Sequence, residues 1–177
     1  MFIAGQTRSE NFPTTEGAYD TVFNSSENYD AFVSKLDNNL SILKASTFIG
    51  GENGEGTFTI AVNSTGDVFI AGHTWSENFP TTFGAYDTIF NSSDYYDAFV
   101  SKLDNNLTAL KASTFIGGND NEIVLDLAID AAGNVLIAGS TWSENFPTTA
   151  GAYDPLFNGD EDTFVAKFTP GLSATFD

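Results

Sequence analysis

Trp75 and Trp142 each stand two residues before a glutamate, Glu77 and Glu144. An indole beside a carboxylate suits a sugar, because the apolar face of the pyranose stacks on the indole while the carboxylate accepts from hydroxyls. Arg8 takes the corresponding place ahead of Glu10, so a ring of such aromatics would be broken once. The competing reading is packing, the commoner use of repeated aromatics. Calcium binding is a second chemistry, and it needs about 6–8 oxygen ligands. Glu10, Glu77 and Glu144 recur, as do Asp20, Asp87 and Asp154, and Asp30, Asp97 and Asp162, all near Asn and Ser oxygens. No EF-hand spacing joins them, and Asp and Asn also close turns by bonding their own backbone. Ca²⁺ thus stands as an expectation against turn chemistry, and no other cofactor is called for.

Nucleophilic catalysis has almost no material. There is no Cys, and the single His, His73, aligns with Gln6 and Ser140, which leaves no repeated histidine metal site and no evident nucleophile–His pair. An enzyme built from loop carboxylates would need asymmetry, and the chain offers little beyond Arg8, His73, Asp126 and one shortened loop. The reading is non-enzymatic. Lys35, Lys102 and Lys167 recur at matching places, as do Lys44 and Lys111, and in so acidic a chain they predict scaffold ion pairs.

These residues are placed by a repeat. The stretch W-S-E-N-F-P-T-T-F-G-A-Y-D at Trp75–Asp87 returns almost unchanged at Trp142–Asp154, and again at Arg8–Asp20. Gly5, Gly72 and Gly139 each close an I-A-G run at a spacing of 67 residues. Only between Asn158 and Asp162 does the third copy fall short, by two residues, which marks a tolerant loop. Within the complete middle unit, Thr57–Asn63 and Asp67–Gly72 flank a short Gly turn and predict a hairpin. A long irregular segment then leads to a strand over Asp97–Asp104, a tight turn at Asn105-Asn106 and a strand over Thr108–Ile116. The next unit opens at Ile123–Asp130. The first two strands of each unit are almost continuously apolar, as for strands covered on both faces, and the outer two are more mixed. Four such antiparallel strands at fixed period describe an all-β fold of propeller blades. Alternating strand direction puts the tight turns at one end and the segment His73–Tyr96 at the other, a loop-rich face where function tends to sit. Phe12, Phe79 and Phe146, each before Pro, are expected to anchor that segment in the groove between blades.

Composition agrees with a globular β chain: 177 residues, 17 Phe, 16 Gly and 1 Met, with short apolar runs cut by turn formers. The net charge of −18 repels phosphate backbones and anionic lipid, so nucleic acid and membrane surfaces are disfavoured partners. No apolar run approaches the roughly 20 residues of a membrane helix. Met1–Gly5 lacks the basic start and long apolar core of a signal peptide and reads as a strand of the repeat.

The succession G-N-V-x-I-A-G, N-F-P-T-T-x-G-A-Y-D, D-A-F-V-S-K-L-D and S-T-F-I-G-G resembles the bacterial SBBP (seven-bladed β-propeller) repeat across essentially the whole chain. That resemblance implies a propeller within a large secreted or cell-surface protein, hence an extracellular location, and implies no catalytic activity and no agreed functional residues. Blade 1 is expected over about 1–50 without its first strand, blade 2 over about 57–117, and blade 3 over about 123–177, with Leu172–Asp177 in its fourth strand. Just under three blades leave apolar faces open, which predicts a piece of a longer array or completion by self-association. The function expected is a binding or adhesion module for a glycan or surface protein, with Trp75, Trp142, Glu77, Glu144 and Arg8 as ligand residues. The alternatives are an architectural repeat that stacks blade on blade, and a carbohydrate-active enzyme or lectin.

Overall fold

The computed structural model describes residues 1–25, 28–92 and 95–173. Strands β1 (Phe2–Thr7), β2 (Asp30–Leu36) and β3 (Leu43–Ile49) form a first sheet. A second holds β4 (Glu55–Val62), β5 (Val68–Thr74), β6 (Asp97–Leu103) and β7 (Leu110–Ile116). The third holds β8 (Glu122–Ile129), β9 (Val135–Thr141) and β10 (Asp162–Phe168). In each sheet the strands lie in chain order and every neighbouring pair is antiparallel. The fold is all-β, in blade-like sheets. β5 runs on to Thr74 and so absorbs His73, which the sequence reading put in the loop. Leu172 sits in a turn rather than in a fourth strand, and the rest of that expected strand, residues 174–177, lies outside the described residues.

Two apolar layers hold the sheets together. Alternation along β6 sends Phe99 and Leu103 toward the first sheet, where they meet Ala31, Val33 and Ile49. It sends Ala98 and Val100 the other way, onto Val124, Leu127 and Ile137 of the third. The middle sheet is therefore covered on both faces, and β5 is buried at every position.

The segment after the second strand does not simply decorate one end. Thr82 donates its backbone N–H to Ser113 O, and Phe115 donates to Asp87 O, so the loop lies along the open edge of β7 and takes up its unpaired groups. Thr15 with Ser46, and Asp20 with Phe48, repeat this on β3. Phe79 stacks on Phe99 at 4.4 Å and Phe115 at 6.0 Å, on the side facing the first sheet. Tyr86 packs on Phe168 at 5.6 Å, on the side facing the third. The loop thus wraps its sheet's outer edge from one face to the other. The expected anchoring of Phe-Pro between sheets is sharpened: the ring sits in the inter-sheet layer but stacks on its own sheet.

At the opposite end, the turns after the third strands carry a leucine with positive φ: Leu40 at 58°, Leu107 at 59° and Leu172 at 55°. Leu107 and Leu172 are completely buried in the layer against the preceding sheet, and their carbonyls accept from Tyr19 and Tyr86 N–H. The expected tight turn at Asn105-Asn106 is therefore a longer loop organised by Leu107. Ion pairs form at the same end. Lys102 lies 3.2 Å from Asp67, Lys111 2.6 Å from Asp67, and Lys167 2.9 Å from Asp130. The two sheets place that carboxylate differently, since Asn63 and Asp67 of one correspond to Asp130 and Asn134 of the other, yet each retains one partner for its lysine. Lys35 instead bonds the Asn105 carbonyl and side chain of the next sheet.

Candidate functional site

The S-E-N triplet after each tryptophan holds the connection from one sheet to the next. Ser76 Oγ accepts from Asn53 N–H and donates to Glu55 Oε1, while Asn78 Oδ1 accepts from Glu52 N–H at 3.0 Å. Ser143 and Asn145 do the same for Asp120 and Asn119. The Gly-Gly pairs are needed because the link runs against these side chains: a Cβ on Gly51 or Gly118 would lie 2.5 Å from the Cβ of Ser76 or Ser143. Glu77 and Glu144, between the two bonding residues, point to solvent.

The expected aromatic ring divides into three different arrangements. Trp75 packs edge-on against Tyr96 at 4.9 Å and His73 at 4.5 Å, and Phe58 stacks on His73. Arg8 lies over the ring of Tyr29, the counterpart of Tyr96, at 4.1 Å, so a cation–π contact replaces the aromatic pair. In the third unit Glu161 stands where Tyr96 and Tyr29 stand, and among the described residues no ring stacks on Trp142. The shortened loop also brings Gly159 to the place of Ser92, whose hydroxyl otherwise bonds Asp97 and the Asp120 carbonyl. An open cavity of about 530 Å³ results, lined by Trp142, Glu144, Asn119, Asp120, Asn145 and Asp160 among others. The structure therefore brings Trp142 and Glu144 together on one cavity, and leaves Trp75 and Arg8 in packing contacts.

The aspartates read as calcium ligands are engaged in loop geometry, while Glu10, Glu77 and Glu144 are exposed. Asp20 accepts from Val22 N–H and Asn24 Nδ2, and Asp30 accepts from Asn24 and Ser25 N–H. Asp87 and Asp97, then Asp154 and Asp162, take corresponding partners. Among the described residues no three His, Cys, Asp or Glu side chains gather as a metal site.

Sequence reasoning missed a buried pair of carboxyls at each inter-sheet junction. Glu55 opens β4 and is 1% exposed; its Oε1 accepts from Thr74 and Ser76, while Oε2 has no partner. A Cβ on Gly50 would stand 2.4 Å from Glu55 Oε2 and 3.4 Å from Asp30 Cγ, which shows how closely the two acids approach. Burial pushes the Glu55 carboxyl up to about 7 despite the bonds from Ser76 and Thr74. Glu122 and Asp97 repeat the pair, both shifted upward by burial. The signal was the 67-residue recurrence of Glu55 at Glu122, but a glutamate opening an apolar strand reads as a solvated end. His73 is buried, its Nδ1 unbonded, and desolvation lowers it to about 4.

No curated protein matches the chain. Residues 113–147 match the SBBP family, described as a beta-propeller repeat. The matched stretch runs from β7 through β8 and β9 to the N-F-P segment, and its sequence recurs through the rest of the chain. With three antiparallel sheets packed in sequence around that period, the chain carries an SBBP-type beta-propeller repeat, matched at residues 113–147.

Proposed function

We propose that this repeat array is a non-enzymatic binding module of an extracellular or cell-surface protein, and that its ligand is a polyhydroxylated molecule of the glycan class. The observation that carries the reading is the cavity beside Trp142. There the third unit departs from its neighbours in two ways at once, by losing the tyrosine and by shortening the loop, and its half-buried indole lines a cavity with Glu144, Asn119 and Asn145. A half-buried aromatic lining a cavity with amide and carboxylate oxygens gives one stacking surface and several hydrogen-bonding partners. The non-catalytic part rests on the sequence, which has no Cys and a single His, His73, enclosed by the rings of Phe58, Trp75 and Tyr96. A glycan array with and without added Ca²⁺ tests the reading, with Trp142→Ala beside the parent. Binding that falls at least tenfold in Trp142→Ala, about 1.4 kcal/mol, is expected; no bound glycan in either condition, or equal binding by the variant, overturns it.

A second reading is assembly through the open ends. Leu40 is 56% exposed where Leu107 and Leu172 are buried, and Tyr153 is fully exposed where Tyr19 and Tyr86 each receive a leucine carbonyl. A further copy, stacked head to tail, would present the one to the other.

A further inference from the structure

The second and third sheets each have an innermost strand, β4 or β8, paired to the strand that carries I-A-G. β1 carries the same run, F-I-A-G-Q-T against F-I-A-G-H-T and L-I-A-G-S-T, yet among the described residues it pairs only with β2. Among the described residues nothing pairs with its other edge.

The residues of β1 match those that meet the innermost strand in the other two sheets. A Cβ on Gly72 would lie 1.8 Å from the Gly56 carbonyl oxygen, and one on Gly139 would lie 1.9 Å from that of Ile123. Glycine is demanded by the close approach of the innermost strand. Gly5 meets no such carbonyl; a Cβ there would touch only the Phe32 ring, at 3.2 Å. Thr74 and Thr141 donate to Glu55 at 2.8 Å and Glu122 at 2.6 Å. Ser76 and Ser143, with Asn78 and Asn145, accept the N–H groups of the Gly-Gly link. Thr7, Ser9 and Asn11 occupy the same places. Ser9 N–H still bonds Thr7 Oγ1 at 3.1 Å, as Ser76 bonds Thr74, but Ser9 Oγ turns to Asn11 Oδ1 at 2.7 Å. Each satisfies the other in the absence of the link.

We infer that the edge of β1 away from β2, with Gly5, Thr7, Ser9 and Asn11, is a strand-accepting site for an extended segment of pattern Gly-Gly-x-x-x-Glu followed by an apolar strand. The glutamate seats between Thr7 Oγ1 and Ser9 Oγ, the link's N–H groups replace the Ser9–Asn11 bond, and the strand pairs antiparallel to β1 past Gly5. Gly50–Val62 and Gly117–Ile129 show the occupant's chemistry, since each fills the equivalent site of its own sheet.

A synthetic peptide of residues 117–130, titrated onto the intact chain, tests this by fluorescence anisotropy and by amide exchange read residue by residue. Saturable binding is expected, with new protection at Phe2, Ala4 and Gln6, whose N–H groups face away from β2. A peptide with Ala in place of its glutamate, and the chain variant Ser9→Ala/Asn11→Ala, should each bind at least about tenfold more weakly, as loss of one or two hydrogen bonds to a charged or backbone group predicts. Gly5→Val should abolish binding while leaving the chain folded, because its side chain meets only a ring edge. Should Gly5→Val not fold, the exposed Ser9→Ala/Asn11→Ala pair carries the test alone. No saturable binding, protection placed elsewhere, or equal binding of a scrambled peptide overturns the inference.

Discussion

Burial, with Asp30 as a neighbouring charge, raises the Glu55 carboxyl from an ordinary 4.5 to about 7. Below pH 4.5 the acid is protonated whether the chain is folded or not, and its contribution to stability is fully present. As pH rises toward 7 the unfolded chain releases the proton first, and the folded state then carries a buried charge, a loss of roughly 3 kcal/mol for this group. Asp30, Asp97 and Glu122 shift in the same direction. Asp67 goes the other way, to about 2, because bonds from Lys111 and Lys102 outweigh its desolvation, so its contribution is lost only as pH falls below 3.8. Glu55→Gln is accordingly expected to flatten the fall in stability between pH 4.5 and 7, measured as denaturant midpoints across that range; an unchanged slope would show that Glu55 does not titrate there. At this scale the sequence disclosed the right types but not their surroundings. Trp142 and Trp75 look alike in the chain, and what separates them is the residue 19 or 21 positions later, Glu161 or Tyr96, which only folding brings alongside.

The third-strand turns show why an element can be legible while its key residue is not. Asn105-Asn106 correctly marks a turn, and Asn or Gly is what a positive φ ordinarily selects, but the left-handed position falls to Leu107. Strain of about 1–2 kcal/mol is outweighed there by complete burial of the side chain. Leu107→Gly should relieve the backbone but forfeit the packing, with a net loss of about 2 kcal/mol or more. Leu40→Gly, with the same φ and an exposed side chain, should be neutral or stabilising by up to about 1 kcal/mol. Equilibrium denaturation of the two variants decides it, and equal effects would refute the division of roles. The four-strand unit, its order and its period were all legible, because apolar runs and turn formers alternate cleanly. The path of the long loop was not: its hydrogen bonds to β7 are made by backbone and by Thr82 and Thr114, residues with no preference that betrays an edge-covering role.

Across the whole molecule, the two ends are complementary. One presents Leu40 and its carbonyl; the other presents Tyr153 and the exposed Val165, the counterpart of fully buried Val100. Solution mass measured over a wide concentration range is expected to rise with concentration, and Leu40→Asp to suppress the rise; a parent chain that stays strictly monomeric sinks the assembly reading. Between sheets, each unit is fastened to its predecessor at two separated points, by the buried leucine turn at one end and the Gly-Gly link at the other. A single fastening would act as a pivot. Two of them fix the rotation as well as the distance from one sheet to the next, so every added unit must turn by the same angle. The curvature of any longer array is therefore already set within this stretch, and chain length decides only how much of the arc is drawn.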